Sequence, residues 1–394
     1  MNNITILGLT ASPYQLKMQA MADYSTLHWQ RWPDQSSTFN ALRALSSLGK
    51  AKRRKQVKRY PNAVSELDEY PSVPYYSFDN REFFYDSSAM ATHLDALGVS
   101  RQPLRPAAQD QRFVCQLIDE AFDEFGLYMV HHNRWVTSAS TNRMGEITAG
   151  EMHSLVPRPF RGRMARKLAK RQAGRCPYLF SIAPEGFDAG VAAALTPPAR
   201  GGFPATHQIL DKAWRLYLQA LEDLLLSQPY ILGDRFTLAD ASAYGQLSMN
   251  LVDGRAAELL QELAPGLYAW LCMIRDGGHK DSCGDLYLSD RLQPLLTCIT
   301  STFVPLMQQN EAAYQQQVTA GQTLFNEAAF DKGEALYDGK LMDLPFRAVV
   351  KTFQVSTWRE LCDGWNNLGP DLQSAILSSY PQLEKNVFEG ETGA

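Results

Sequence analysis

Residues 4–9 read Ile-Thr-Ile-Leu-Gly-Leu, and this short apolar run is followed closely by Ser12-Pro13-Tyr14. An apolar run of this length is typical of a strand that is covered on both faces of its sheet. Ser12 suits the N-cap of a helix and Pro13 its first position, and apolar residues then recur at every fourth place. The sequence therefore predicts a strand, a turn and a helix at the start of the chain.

More strand signals follow before the first linker. Residues 26–32 alternate well enough for a second strand. Residues 73–78 and 81–85 are aromatic-rich runs, and the Asp-Asn pair at 79–80 between them predicts a hairpin. Residues 86–88 (Asp-Ser-Ser) then suit the start of a helix. The predicted order is βαβ, a stretch without a defined pattern, and ββα.

The rest of the chain is predicted to be almost wholly helical. Residues 99–108 carry two prolines and little periodicity, which indicates a linker. Residues 113–128 then place an apolar stripe on a long helix, and this pattern predicts a solvated acidic face for the four carboxylic acids off the stripe: Asp119, Glu120, Asp123 and Glu124. Residues 181–206, rich in Pro, Gly and Ala, predict a long surface loop, and residues 237–240 (Thr-Leu-Ala-Asp) predict a capping box.

Composition narrows the class of protein. The 394 residues include 38 Lys+Arg and 42 Asp+Glu, so the formal charge of -4 argues against a surface adapted throughout to nucleic acid or anionic membrane. The six cysteines form no CxxC pair and no Cys/His spacing typical of zinc sites, which indicates a reducing compartment and no metal. Because no stretch reaches the length of an apolar membrane span, we expect a soluble cytoplasmic protein.

The residues at which one predicted element ends and the next begins resemble those of cytosolic glutathione transferases. The resemblance rests on four motifs in the right order: Ser12-Pro13-Tyr14, Val73-Pro74, Asp86-Ser87-Ser88-Ala89, and Gly233 with Thr237-Leu238-Ala239-Asp240. Together they cover about residues 1–98 and 109–275. More closely, the chain is similar to long bacterial members that carry an acidic helix ending in a His-x-x-Arg-Trp-like stretch, here residues 131–135, and a helical tail.

The resemblance implies an α/β thioredoxin-like domain followed by an all-helical domain with an extra helical tail. The implied boundaries are 1–98 for the thioredoxin-like glutathione-binding domain, 99–108 for the linker, 109–299 for the all-helical C-terminal domain with its loop at 181–206, and 300–394 for the helical extension.

The resemblance also implies a glutathione site. The family has a cis proline at this position, which implies that the Val73-Pro74 peptide is cis. The backbone of Val73 would then pair with the cysteinyl amide of glutathione. Asp86 and Ser87 would bind the γ-glutamyl group at a helix N-terminus, and Lys58 or Arg59 could reach the glycyl carboxylate. An edge-strand proline and a simple helix cap are the structural alternatives for Pro74 and Asp86.

Ser12 occupies the position of the thiolate-stabilising residue in serine-type relatives. A thiol of pKa about 8.5 is only about 3% ionised at pH 7, and lowering that pKa by about two units requires roughly 2.7 kcal/mol. One charge-assisted hydrogen bond of roughly 1.5–3 kcal/mol is sufficient. Because the residue is Ser and not Cys, conjugation through bound glutathione is favoured over disulfide exchange. Ser12 could instead merely cap the helix, in which case Thr10 and Tyr14 are the next candidates.

The second-substrate pocket of this fold lies between the two domains. Tyr14, His131, Arg134 and Trp135 are predicted to help form it. Metal binding by the acidic residues and the histidines is disfavoured, because no ExxH or HxxxH pairing places them on one face.

Two basic runs are unusual for a chain of this net charge. Residues 50–59 contain seven Lys or Arg, and Arg158–Arg175 contains eight with no acidic residue. The second run predicts an exposed helix that is either a solvated face or a site for an anionic partner such as nucleic acid, a lipid headgroup or an acidic substrate.

Three functions are consistent with these patterns. The first is a glutathione-dependent transferase, with glutathione as cosubstrate, that detoxifies or otherwise modifies an electrophilic small molecule as a homodimer. The second is a non-catalytic adaptor of the same fold that binds a macromolecule, because a fold can persist after its chemistry is lost. The third is a glutathione-assisted isomerase or dehalogenase that uses the same thiolate.

Overall fold

A five-stranded sheet with three helices forms the N-terminal part of the protein. The structure, a computed structural model, describes residues 3–61, 67, 73–383 and 387–388. The N-terminal elements are β1 (Asn3–Leu7), α1 (Pro13–Asp23), β2 (His28–Trp32), α2 (Thr38–Arg53), β3 (Lys58–Arg59), β4 (Tyr75–Ser77), β5 (Phe84–Tyr85) and α3 (Ser87–Ala96).

The sheet has the strand order β2-β1-β4-β5-β3. Strand β1 is parallel to β2 and antiparallel to β4, with Ile6 opposite Tyr76. Both side chains are fully buried, as an apolar strand at the centre of a sheet requires. The predicted hairpin of β4 and β5 is confirmed, and Asn80 takes a positive φ at its turn. The short edge strand β3 was not predicted, and much of the patternless stretch after it lies outside the described residues.

Helices dominate the chain after residue 108. They are α4 (Gln109–Ala121), α5 (Leu127–His132), α6 (Met144–Glu151), α7 (Arg158–Arg175), α8 (His207–Leu225), α9 (Leu238–Leu247), α10 (Gly254–Leu263) and α11 (Pro265–Arg275). Short 3-10 turns occupy Ala193–Leu195 and Ser248–Val252. Helix α9 packs against α1 at Gly245, where a Cβ would lie 2.9 Å from the carbonyl oxygen of Pro13.

Two π-helical segments interrupt the long helix that starts at α4. They span Phe122–Gly126 and Asn133–Thr137, on either side of α5. A π turn holds one residue more than an α turn, so it moves the residues after it onto a different face. The expectation of a solvated acidic face is wrong: Asp119 and Glu120, before the first π segment, and Asp123 and Glu124, within it, are all buried.

The C-terminal extension is helical except for one hairpin. A 3-10 turn (Asp290–Leu292) and α12 (Gln293–Ser301) lead into it, and its own elements are α13 (Phe303–Thr319), α14 (Asn326–Lys332), β6 (Leu336–Leu341), β7 (Leu344–Val349), α15 (Thr352–Asn366) and α16 (Pro370–Ser379). The antiparallel β6 and β7 correct the prediction of a helical tail over this stretch. Their two-residue turn, Met342-Asp343, has positive φ at both residues but lacks the Asn-Gly or Asp-Gly pair that normally predicts such a turn.

The largest hydrophobic cluster of the described residues joins the three parts of the chain. A single cluster of contacting apolar side chains runs from Ile4 in β1 through the helical region to Phe388 near the C-terminus. Helices α15 and α16 both pack on α4, so the extension covers the helix that carries the buried acidic residues.

Candidate functional site

A cavity of about 510 Å³ opens where the sheet, the helical region and the extension meet. Nine predicted site residues line it: Ser12, Tyr14, Val73, Pro74, Asp86, Ser87, His131, Arg134 and Trp135. Arg59 does not line the cavity but is hydrogen-bonded to Asp86. The folded chain thus brings together residues that the sequence analysis assigned to one site from separate motifs.

Ser12 lies at the N-cap position of α1, but its side chain makes no capping hydrogen bond. Within the described part of the chain its hydroxyl has no hydrogen-bond partner, and Ser12 lines the cavity. The two alternative hydroxyls are occupied: Thr10 donates both its amide and its hydroxyl to Glu151, and Tyr14 donates to the carbonyl oxygen of Asp123 at 2.8 Å. Ser12 is therefore the hydroxyl of the three that remains available to a ligand.

The Val73-Pro74 peptide is cis, as the resemblance implied. It lies directly before β4, and both residues line the cavity. The N-terminus of α3 lies on the same cavity, with Ser87 as its first residue.

Asp86 is held by three donors around the start of α3. One carboxylate oxygen accepts the amides of Ser88 and Ala89 at 2.9 and 3.0 Å, and the other accepts from Arg59. The Arg59 guanidinium also donates to Glu360 of α15, at 2.6 and 3.1 Å. A carboxylate of the extension thus binds the arginine that the resemblance assigned to the glycyl carboxylate.

A buried lysine that the sequence analysis missed lies beneath the cavity. Lys17, only 1% exposed, forms ion pairs with Asp119 at 2.5 Å and Asp123 at 2.7 Å and donates to Ser88 at 2.8 Å. Burial lowers the pKa of Lys17, but the two carboxylates outweigh burial and hold its pKa above the usual value. The lone lysine in the apolar stretch 16–22 was the available signal.

Three carboxyl groups line the cavity wall formed by α4 and the first π segment. Burial raises the pKa of Asp123 to about 6 in spite of Lys17, with a further contribution from Asp119. Burial also raises the pKa of Glu124 to about 7, with the charge of Asp123 adding to it, and raises the pKa of Glu120 well above its usual value. These groups can therefore hold protons near neutral pH.

The predicted second-substrate residues differ in what their side chains can offer a ligand. Arg134 is bound to Asp253 at 2.9 Å and donates to the carbonyl oxygens of Met249 and Ala11, so it fixes the loop before Ser12. Burial, helped by Arg134, lowers the pKa of His131 to about 3, which makes this ring neutral. Trp135 packs on α7.

The extension adds a wall that the sequence analysis did not assign. Lys351 and Gln354 donate to the hydroxyl of Tyr128 at 2.5 and 2.9 Å, and all three line the cavity. Glu327 forms an ion pair with Arg175 of α7 at 2.7 Å. Among the described residues, no group of three or more His, Cys, Asp or Glu side chains could hold a metal ion, and no helix could cross a membrane.

Residues 204–271, which span α8 to α11, match the family model described as the glutathione S-transferase C-terminal domain. The chain has a glutathione S-transferase fold. The α/β domain, in which Pro74 follows a cis peptide bond, precedes this helical domain, in the order that the resemblance implied. No curated protein matches the chain in sequence.

The solved structures to which the chain is similar are distant in sequence. The β-etherase LigF of Sphingobium sp. strain SYK-6 is 18% identical, with 71% of this chain and 100% of LigF covered and a TM-score of 0.39. A glutathione S-transferase of Ceriporiopsis subvermispora, crystallised with glutathione, is 14% identical, with coverages of 72% and 99% and a TM-score of 0.41. A glutathione S-transferase of Rhodospirillum rubrum F11 is 14% identical, with coverages of 75% and 92% and a TM-score of 0.36.

Proposed function

We propose that the protein is a glutathione-dependent transferase that joins the glutathione thiolate to an electrophilic small molecule. One observation carries the proposal: the Ser12 hydroxyl, without a partner in the described ranges, faces a cavity shared with the Val73-cis-Pro74 peptide and the N-terminus of α3. A hydroxyl, an extended backbone segment and a helix N-terminus suit the thiolate, the cysteinyl amide and the γ-glutamyl carboxylate respectively.

Each part of glutathione has a partner in this proposal. The backbone of Val73 pairs with the cysteinyl amide, and Ser87 with the first turn of α3 binds the γ-glutamyl carboxylate. Asp86 already holds two amides of α3 and Arg59, so we assign it to shaping this turn. Ser12 donates its hydroxyl hydrogen to the thiolate, and the N-terminus of α1 adds about 0.3–1 kcal/mol of stabilisation.

The substitution Ser12→Ala tests the proposal. It removes the donor that favours thiolate over thiol but leaves the other contacts, so glutathione affinity should change little. Conjugation near pH 7 should slow by roughly 10- to 100-fold, because a charge-assisted hydrogen bond contributes about 1.5–3 kcal/mol. Ultraviolet absorbance of the bound thiolate, followed from pH 5 to 9, should titrate at a higher pH in the variant.

Ser37→Ala is a matched control. Ser37 is also an N-cap serine, but its hydroxyl accepts from the amide of Asn40 at 3.3 Å and caps α2. Its loss should lower stability by about 0.5–2 kcal/mol and leave the thiolate titration unchanged. Identical titration curves for Ser12→Ala and the unmodified protein would contradict the transferase and favour the adaptor.

The adaptor remains a second candidate because of the outer face of α7. Its exposed cations have no ion-pair partner among the residues described: Arg158, Arg163, Arg166, Lys167 and Lys170. Such a face attracts polyanions without a need for bound glutathione.

A further inference from the structure

The outer face of helix α7 carries cations and one exposed phenylalanine. Positions 163, 166, 167 and 170 are three or four residues apart, so their two Arg and two Lys side chains share one face of the helix. All four are exposed, and Phe160, which is 62% exposed, lies one turn before Arg163 on the same face. The helix contains no acidic residue, and its 18 residues extend about 27 Å. This face is therefore a long basic stripe with an aromatic residue at its start.

The opposite side of α7 faces the protein. Ala165 is buried there, and Leu168 and Gln172 line the cavity. Arg175, which also lines the cavity, is paired with Glu327 at 2.7 Å. The helix thus separates the cavity from the basic stripe, and the four cations of the stripe do not line the cavity.

The carboxylates of the helix that packs along α7 are bound to other groups. Helix α6 contributes two acids: Glu146 is paired with Arg143 at 3.1 Å, and Glu151 accepts the amide of Thr10 at 3.0 Å. Among the residues that the structure describes, none forms an ion pair with the four cations of the stripe. The positive charge of the stripe is therefore not neutralised within the described chain.

Helix α2 has the same combination of residues. It contains no acidic residue, and its first turn carries Phe39, which is 73% exposed. Leu42, which is 56% exposed, lies one turn later on the same face. Exposed cations then continue this face toward the C-terminus of the helix: Arg43, Lys50 and Arg53. Exposed apolar side chains that adjoin one another are typical of interaction surfaces.

The two helices begin close to one another. Ser154, in the loop before α7, donates its hydroxyl to the carbonyl oxygen of Pro33, in the loop before α2, at 3.0 Å. Phe39 lies six residues after Pro33, and Phe160 lies six residues after Ser154. The aromatic starts of both helices are therefore near one contact.

The surface of an anionic bilayer suits both kinds of side chain. Lipid phosphates attract Lys and Arg, and the boundary of the acyl chains accepts Phe and Leu, as it does for helices that lie in a membrane interface. Nucleic acid also attracts cations and can stack on Phe, but it offers no apolar partner to an exposed aliphatic side chain such as Leu42. The cations and the exposed apolar residues together favour lipid.

We propose that the outer face of α7, with the start of α2, is a docking surface for bilayers that contain anionic lipid. The surface needs no glutathione, so the inference is independent of the proposed function. Because the opposite side of α7 lines the cavity, the bound bilayer lies against the outer side of a cavity wall.

Sedimentation with vesicles tests the proposal on the full chain. The probes are vesicles of phosphatidylcholine alone and vesicles of phosphatidylcholine and phosphatidylglycerol in a three-to-one ratio. The protein should bind the vesicles that contain phosphatidylglycerol and not those of phosphatidylcholine alone. Binding should weaken as the NaCl concentration rises, because salt screens charges at a surface.

A charge variant and a matched control locate the surface. The variant combines Arg163→Gln, Arg166→Gln, Lys167→Gln and Lys170→Gln, and its affinity for anionic vesicles should fall by roughly 100-fold or more, since each Lys or Arg at such a surface contributes about fivefold. The control has the same net charge but loses exposed cations of other elements that have no ion pair among the described residues: Lys212→Gln, Arg291→Gln, Lys332→Gln and Lys340→Gln. Its affinity should stay within about threefold of that of the unmodified protein.

A second pair of variants tests the apolar part of the surface. Phe39→Ser with Phe160→Ser should lower vesicle affinity by roughly 10-fold or more, because an apolar side chain that enters the bilayer leaves water. Leu226→Ser with Val318→Ser removes two other exposed apolar side chains and should leave the affinity unchanged. Thermal unfolding of each variant verifies that it is folded.

Distinct results would overturn the inference and the proposed function. Equal binding to both kinds of vesicle, or an equal loss in the charge variant and its control, would remove the basic stripe as the surface. Unchanged vesicle affinity in the double phenylalanine variant, or binding of a single-stranded oligonucleotide without binding of anionic vesicles, would assign the stripe to a polyanion instead of a bilayer. Either result leaves the absorbance of the bound thiolate unaffected, whereas absence of that absorbance in the unmodified protein would overturn the proposed function alone.

Discussion

Lys17 joins α1 to the buried acidic residues of α4 and the first π segment. With 1% of its surface exposed, it neutralises Asp119 and Asp123 directly beneath the cavity. Lys17→Met fills the same space without the charge and leaves two carboxylates unpaired. The free energy of unfolding should fall by about 3–5 kcal/mol at pH 8, as is usual when one partner of a buried ion pair is removed. Chemical denaturation measures this loss.

A control and a pH series test the physical reason. Lys212→Met, on the exposed face of α8, should change stability by less than about 0.5 kcal/mol. The pKa of Asp123 lies at about 6, above its usual value, so this carboxyl disfavours the folded state increasingly as the pH rises through 6. The deficit of Lys17→Met should therefore be smaller at pH 5 than at pH 8. An equal deficit at both pH values would indicate lost packing instead of unpaired charge.

The buried carboxyl group of Glu124 should lower the stability of the folded protein as the pH rises. The pKa of Glu124 is about 7 in the folded protein and about 4.3 in an unfolded chain. The free energy of unfolding is therefore highest at low pH and falls as the pH rises through 7. Glu124→Gln removes the ionising group, and its free energy of unfolding at pH 8 should exceed that of the unmodified protein by about 2–4 kcal/mol. The gain should vanish near pH 4. Denaturation at the two pH values measures it, and a destabilised variant at pH 8 would contradict this account.

At the scale of elements, α15 places a carboxylate where a ligand carboxylate is expected. Glu360 shares the Arg59 guanidinium with Asp86. If Arg59 serves the glycyl carboxylate, Glu360 competes with it. Glu360→Gln should then tighten glutathione binding by up to about fivefold, because a partly exposed ion pair contributes about 0–1 kcal/mol. Titration calorimetry measures the affinity.

The monoester of glutathione at its glycyl carboxylate is the matched control ligand. It lacks the group that competes with Glu360, so its affinity should be the same for Glu360→Gln and the unmodified protein. An equal gain for ester and acid would show that Glu360 acts on access to the cavity and not on Arg59.

Elements with strong local signals could be predicted from the sequence. Strand β1 is mostly apolar, the turn between β4 and β5 carries an Asp-Asn pair, and α1 begins at Ser12-Pro13. Each of these patterns determines structure within a few residues, so it can be interpreted without the tertiary contacts. Asp240 likewise accepts the Thr237 amide at 2.9 Å, as its position in the sequence suggested.

Other elements could not be predicted because their causes are distant or small. The π segment Phe122–Gly126 differs from an α-helix by one residue per turn. The burial of Asp119 and Asp123 depends on Lys17, about a hundred residues earlier in the chain. The hairpin of β6 and β7 turns at Met342-Asp343, a pair without a hairpin signature.

At the scale of the molecule, the cavity is built from three distant parts of the sequence. The motif residues Ser12, Val73 and Ser87 lie in the first part and could be predicted from their local patterns. Lys351 and Gln354 come from the extension and reach Tyr128 of the second part. No local pattern links these parts, because the contact exists only after the extension folds over α4.

The large cluster that joins the three parts of the chain predicts how the whole protein unfolds. Trp365 of α15 is 1% exposed and packs against Phe113 of α4 and Phe388, within the cluster that also contains Ile4 of β1. A shared core makes the loss of one part unfavourable for the others, so we expect one cooperative transition in calorimetry. Trp365→Ala should destabilise the protein by about 3–5 kcal/mol and lower the Tm of that one transition.

Val318→Ala, on an exposed position of α13, is a control that should leave Tm nearly unchanged. The bound-thiolate absorbance of Trp365→Ala should disappear at the same temperature as its calorimetric transition, although Ser12 lies in the first part of the chain. Two separate transitions, with the thiolate signal surviving the first, would show that the extension unfolds independently of the α/β domain. The shared core predicts instead that a destabilising substitution near the C-terminus also unfolds the site at Ser12. The wall of its cavity and the packing of α4 both depend on the extension.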